Sequence, residues 1–204
     1  MFKLALNPSP KHPHSGIIQS MAETGSVLNF RSGNRITLVD QGADGDGEYL
    51  RIEHVIPQTG RLVGPHWHPI LQETFHVRAG QLRFRVDGVE TTAGPGTTVV
   101  VKPRATHEFW NDSSETVLEH EVRPPLHHWE MFEFMSRLDQ AGRMTKLGLP
   151  RNPLALGLLW EYGDGYVAGP PPALQRAVFG NIAKLARTLG YERKLVASTS
   201  ADQG

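Results

Sequence analysis

Between Ser26 and Val122 the sequence breaks into short runs of β-branched, aromatic and aliphatic residues, each closed by glycine, proline, asparagine or aspartate. The runs are SVLNF, RITLV, EYLRIEHVI, ETFHVRA, QLRFRV, TTVVVK, HEFWN and ETVLEHEV. The breaks between them are SGN, QGADGDG, PQTG, Asp87-Gly88 and AGPG. Short strands at regular intervals, with turn residues that supply positive φ or a fixed φ, predict a sandwich or small barrel. The 21 glycines and 15 prolines among 204 residues fit a chain that turns often.

After Pro124-Pro125 the period changes. Leu126, Trp129, Phe132, Met135 and Leu138 recur at helical spacing, with Gly142 as a stop. Asn152 and Pro153 are placed as N-cap and first turn of a second, shorter helix. In a third, Leu174, Val178, Ile182, Leu185 and Leu189 form an apolar stripe ended by Gly190. The expected organisation is an N-terminal arm over 1–24, a β-barrel over 25–124, a helical extension over 125–195 and a polar tail over 196–204.

His66 and His68, two residues apart, fall on one face of a strand, because side chains alternate across it. Glu73 and His107, on neighbouring strands, complete a shell of three imidazoles and one carboxylate. That donor set suits Fe, Mn, Ni, Cu or Zn better than Mg or Ca. The absence of cysteine removes thiolate catalysis, disulfides and Cys-type zinc or iron–sulfur sites. Lys+Arg and Asp+Glu are 21 each, so the whole chain carries no electrostatic footprint for nucleic acid or an anionic membrane. No stretch reaches the length of a membrane span, and MFKLALNPSP is too interrupted for a signal peptide; a cytosolic location is the expectation. His12 and His14 in the leader are a source of adventitious metal binding.

The four ligands belong to a longer order: Gly64-Pro65-His66-Trp67-His68, Glu73 and Gly80, then Gly96, His107 and Asn111. This resembles the two motifs of the cupin superfamily, the first supplying two histidines and a glutamate and the second one histidine. The resemblance implies a mainly β fold: a cupin-type double-stranded β-helix (a jelly-roll, RmlC-like barrel) followed by C-terminal α-helices. It implies that His66, His68, Glu73 and His107 hold one divalent transition metal (Fe, Mn, Ni or Zn). Two positions depart from the pattern: Lys102 stands where the second motif has proline, with Pro103 one later, and Arg104 replaces the inner glycine. The resemblance covers roughly residues 26–123.

Alternation along the strands extends the site. Leu50, Ile52, His54 and Ile56 share one face, and so do Leu118, His120 and Val122; the apolar faces point inward and carry His54 and His120 with them. Glu73, Phe75 and Val77 point inward, as do Leu82, Phe84 and Val86, while His76, Arg83 and Arg85 point out. Phe109 and Asn111 follow His107. The expected pocket is lined by Ile52, Phe75, Phe84, Phe109 and Leu118, with His54 and His120 as candidate general bases or substrate-orienting groups. His127 and His128 are placed as solvent-facing or as a second layer around the ligands. Gly42-x-Asp44-x-Asp46-Gly47 resembles a calcium loop but reads better as a hairpin.

The functional expectation is a metal-dependent enzyme, oxygenase-type by a small margin, acting on a small and partly apolar organic molecule. The alternatives are a metal-dependent isomerase, cyclase or decarboxylase, or a non-catalytic binding or sensing module. A homodimer is expected, with the leader or the aromatic helix as a contact.

Overall fold

The computed structural model describes residues 22–191 and 193. The expectations for the leader, including His12 and His14, and for the polar tail fall largely outside those residues. Strands β1 (Val27–Asn29), β2 (Arg35–Asp44), β3 (Gly47–Ile56), β4 (Gly60–Trp67), β5 (Gln72–Ala79), β6 (Leu82–Val86), β7 (Val89–Ala93), β8 (Thr98–Val101), β9 (His107–Asn111) and β10 (Thr116–Arg123) come first. They are followed by α1 (His128–Gln140), α2 (Pro153–Tyr162), β11 (Tyr166–Val167) and α3 (Pro172–Thr188).

The strands form two antiparallel sheets, ordered β1-β2-β3-β10-β5-β8 and β11-β4-β9-β6-β7. Alternating burial marks their inner faces: Thr116, Leu118, His120 and Val122 are buried on β10, and Glu73, Phe75 and Val77 on β5. Phe75, Val77, Val101 and Leu118 from the first sheet pack against Leu82, Phe84 and Ala93 from the second. The result is the jelly-roll barrel implied by the resemblance, one form of the sandwich or small barrel read from the strand cadence, with a helical C-terminal part.

The turns follow their residues. Asp87 and Gly88, both at positive φ, close the β6–β7 hairpin as a primed turn requires. The QGADGDG segment is longer-stranded than expected: β2 runs to Asp44 and β3 starts at Gly47, leaving Gly45-Asp46 as the tip. Both Asp44 carboxylate oxygens accept from Arg123, at 2.7 and 2.8 Å, so this carboxylate clamps a hairpin rather than a calcium ion. Asn111, buried at the end of β9, donates to the carbonyls of Ile56 and Gln58 and accepts from Thr116. It ties the β3–β4 connection to the start of β10. Between Val27 and Arg123 two strands, β4 and β7, were not among the runs read from sequence, and neither was β11 beyond them. β4 contains Gly64-Pro65 and pairs irregularly with β9, and β7 is almost wholly exposed and polar.

The helices join the barrel through α1. Trp129 and Phe132 pack against Ile36, Leu38, Leu50 and Ile52. Phe134 and Leu138, on another side of α1, enter a separate core with Ala155, Leu158, Ala183 and Ala186 of α2 and α3. Intramolecular packing therefore engages Trp129, Phe132 and Phe134 of the aromatic helix. Asn152 caps α2 as expected, its Oδ1 accepting from Leu154 N at 2.9 Å.

The apolar stripe of α3 behaves differently from its sequence reading. Leu174, Val178, Leu185 and Leu189 face outward, and the buried residues are Gln175, Ala183 and Ala186. The cause is close helix packing. A Cβ on Gly157 of α2 would lie 2.6 Å from Ile182 and 2.9 Å from Ala183 N, so α3 meets α2 through its small residues. Among the described residues no helix is long and apolar enough to cross a membrane.

Candidate metal centre

His66 on β4 and His107 on β9 are directly opposed in register, so their rings stand side by side with centroids 4.1 Å apart. β4 ends at Trp67, one residue before His68, so the two histidines do not share a regular strand face as expected. His68 nevertheless turns toward the same point, its ring 5.0 Å from His66 and 5.7 Å from His107. Glu73 reaches across from the other sheet. Its Oε2 lies 2.9 Å from His107 Nε2 and 3.6 Å from His68 Nε2. One ligand atom from each of the four residues falls within 4.8 Å of every other. Glu73, His68 and His107 are buried, and His66 is partly exposed, so solvent reaches the group from the His66 side.

Each histidine is held from behind. His66 Nδ1 contacts Gly64 O at 2.9 Å, His107 Nδ1 contacts Ala105 O at 3.1 Å, and His68 Nδ1 contacts Asp164 O at 3.3 Å. A carbonyl at Nδ1 fixes the tautomer with the proton there and leaves Nε2 as a lone-pair donor. The inward atoms are without well-directed partners: His68 Nε2, His107 Nε2 and Glu73 Oε2 are buried and make no hydrogen bond. Each such atom costs roughly 1–3 kcal/mol if nothing satisfies it. Three orphaned lone-pair donors converging on one point fit a metal ion.

The charge states agree. Burial, reinforced by the charges of His107 and His68, pushes His66 down to about 4; burial likewise lowers His68. Burial alone would raise the Glu73 carboxyl, but its contacts with His107 and His120 outweigh this and hold it well below the usual carboxylate range. Burial also opposes charge on His107, yet the contact with Glu73 wins and raises it. His66 and His68 are thus neutral and Glu73 is ionised, the forms that bind metal, while Glu73 draws a proton to His107 that a metal would displace.

Arg104 adopts φ 70°, the left-handed region a glycine would take, and its N–H donates to His68 O at 2.7 Å.

His120 points inward as expected, its Nε2 3.2 Å from Glu73 Oε1 and its ring stacked on Phe75 at 4.3 Å. His54 stands behind it at 5.6 Å, with a buried and unpartnered Nε2. Phe75, Phe84 and Leu118 are fully buried and pack with the partly buried Phe109 beneath the ligands; Ile52 lies in the neighbouring cluster with Trp129. Two contributors were not identified from sequence. Asp164, with Gly165, comes from the helical extension and fixes His68, and β11 extends the ligand sheet beside His66. His128 is buried, not solvent-facing, its ring 5.3 Å from that of His120.

Residues 53–122 match the family model for the cupin domain. This stretch holds His66, His68, Glu73, His107, His54 and His120, and the barrel of this chain is a cupin domain. No curated protein matches the sequence. Solved structures to which this chain is similar include KdgF from Halomonas sp., at 13% identity and TM-score 0.42, over 48% of this chain and 84% of that one. A second is Streptomyces PAC13 with uridine, at 16% identity and TM-score 0.39, over 50% and 76% of the two chains. A third is an RmlC-like cupin from Shewanella frigidimarina, at 16% identity and TM-score 0.40, over 52% and 90%.

Proposed function

We propose that this protein is a metal-dependent enzyme acting on a small, partly apolar organic molecule, with His66, His68, Glu73 and His107 as the metal ligands. The observation that carries the reading is the convergence of buried, unpartnered Nε2 and carboxylate atoms, each imidazole tied back at Nδ1. A transition metal held there supplies a Lewis-acidic and, for Fe or Mn, redox-active centre with coordination positions to spare. Oxygenase-type chemistry is the first reaction class to assay, and isomerase or lyase chemistry the second.

The chain's own residues do the rest. The partly exposed His66 side is the route by which a substrate arrives. The aromatic floor of Phe75, Phe84 and Phe109 excludes water beneath the ligands and favours an apolar substrate body. His120 and His54 are the groups that hold or pass a proton next to Glu73. Pairing of two copies belongs to the same reading, supported by Leu174, Val178, Leu185 and Leu189, each about half exposed on α3; light scattering giving a monomer mass would remove this part.

Element analysis tests the central reading on the full chain carrying His12→Ala and His14→Ala. At least one transition metal per chain is expected, and none overturns it. Iron or manganese directs the assay to oxygen consumption, and zinc to isomerisation or elimination.

A further inference from the structure

On the far side of Glu73 lies a second group of imidazoles that the four-ligand centre leaves out. Oε2 of Glu73 faces His68 and His107, while Oε1 faces His120 Nε2 at 3.2 Å. His128, the first residue of α1, brings a ring nitrogen to the same place. One ligand atom each from Glu73, His120 and His128 lie within 4.8 Å of one another, and all three residues are buried. His128 is 4% exposed, and neither of its ring nitrogens has a partner; His120 Nε2 is likewise unpartnered. A neutral imidazole carries one donor and one acceptor, and both are orphaned here. Leaving both buried and unmet is unfavourable unless something bound supplies the contacts.

The chemistry of the space narrows what that is. Phe132 closes it on one side, with ring centroids 5.1 Å from His128 and 5.4 Å from His54. A carboxylate oxygen and two imidazole nitrogens make a donor set for zinc or a first-row transition metal.

We propose that Glu73, His120 and His128 form a second transition-metal site, with the Glu73 carboxylate shared between two ions. The inference rests on the first group holding a metal. It makes α1 of the helical extension a direct supplier of a ligand. Of its imidazoles, His128 has neither ring nitrogen tied to the protein, whereas every histidine of the first site has Nδ1 tied back. The second ion is therefore bound about tenfold or more weakly, the usual worth of such outer contacts.

Chelator-stripped full chain carrying His12→Ala and His14→Ala is titrated with Co(II), following the visible d–d absorption and the stoichiometry. Two equivalents are expected, the second weaker. His128→Ala and, independently, His120→Gln should each keep only the tight equivalent, with circular dichroism melts confirming that each variant folds. His66→Ala should weaken the tight equivalent and keep the other. One equivalent that survives both His128→Ala and His120→Gln but is lost in His66→Ala overturns the second site and leaves the first standing. Two equivalents that survive both also overturn it. One equivalent lost in His128→Ala overturns the four-ligand reading, and no binding overturns both.

Discussion

His66 and His107 are oriented by carbonyls two residues upstream on their own chain segments, Gly64 and Ala105. His68 is oriented by Asp164, 96 residues away in the helical extension, and His128 belongs to that extension outright. The barrel thus builds its part of the centre from local strand and turn geometry. The extension contributes by docking. A local anchor forms whenever the strand forms, while a distant one depends on α1, α2 and β11 being in place. The extension is accordingly part of the candidate centre, and the two regions should respond differently to mutation.

The sharpest separation comes from Glu73→Gln. It removes the charge that both regions share. A structural zinc site is worth about 10–16 kcal/mol over its ligands, so losing this one should cost roughly 3 kcal/mol, at least about a hundredfold in affinity. Competition titration with a chromophoric chelator reads this, and unchanged affinity would remove Glu73 from the centre.

Gly157→Val strikes the extension alone. Forcing a side chain between α2 and α3 should lower stability by about 1–3 kcal/mol, seen in urea unfolding. If the extension docks as described, metal affinity falls with it; a stable barrel with wild-type affinity would show the two regions to be independent.

Gly165→Val is finer. A Cβ there would lie 3.0 Å from His68 Cε1 and 3.1 Å from its Nδ1, so a larger side chain pushes the ring off line. Affinity should drop about tenfold while the melting temperature of the metal-free protein stays put. A shift in melting with no change in affinity would contradict the positioning role.

The smallest effect belongs to the barrel wall. Burial would raise Glu121, but hydrogen bonds from Arg123 and Arg51 hold it below its ordinary value; Arg123 likewise holds Asp44 down to about 2. A depressed carboxyl contributes stability that is fully present above its unfolded value of about 4 and is lost as pH falls through the folded value. The stability of metal-free protein should therefore fall between about pH 4 and 2, and Arg123→Gln should flatten that slope only slightly, since the clamp is solvent-screened. A slope unchanged in the variant would remove Arg123 from this account.

The same contrast explains what could be read in the sequence. Glu73, Phe75 and Val77, and Leu118, His120 and Val122, keep a strict two-residue alternation, so their faces followed from spacing alone. The ligands sit within that pattern or at its turns. β4 was hard to see because Gly64-Pro65 and two register shifts break its alternation. Asp164 and His128 carry no local signal; only the docked extension brings them to the centre. The stripe on α3 misled for a packing reason: Gly157 and Ala183 let the helices approach closely, and closeness selects small residues for the interface and leaves the leucines outside.

The most direct test of the central claim is anomalous X-ray scattering from crystals of the metal-loaded full chain, recorded on either side of the metal's absorption edge. The account predicts a peak at bonding distance from Nε2 of His66, His68 and His107 and from the Glu73 carboxylate. A map with no peak between these four residues, from crystals shown by fluorescence to contain the metal, would contradict it.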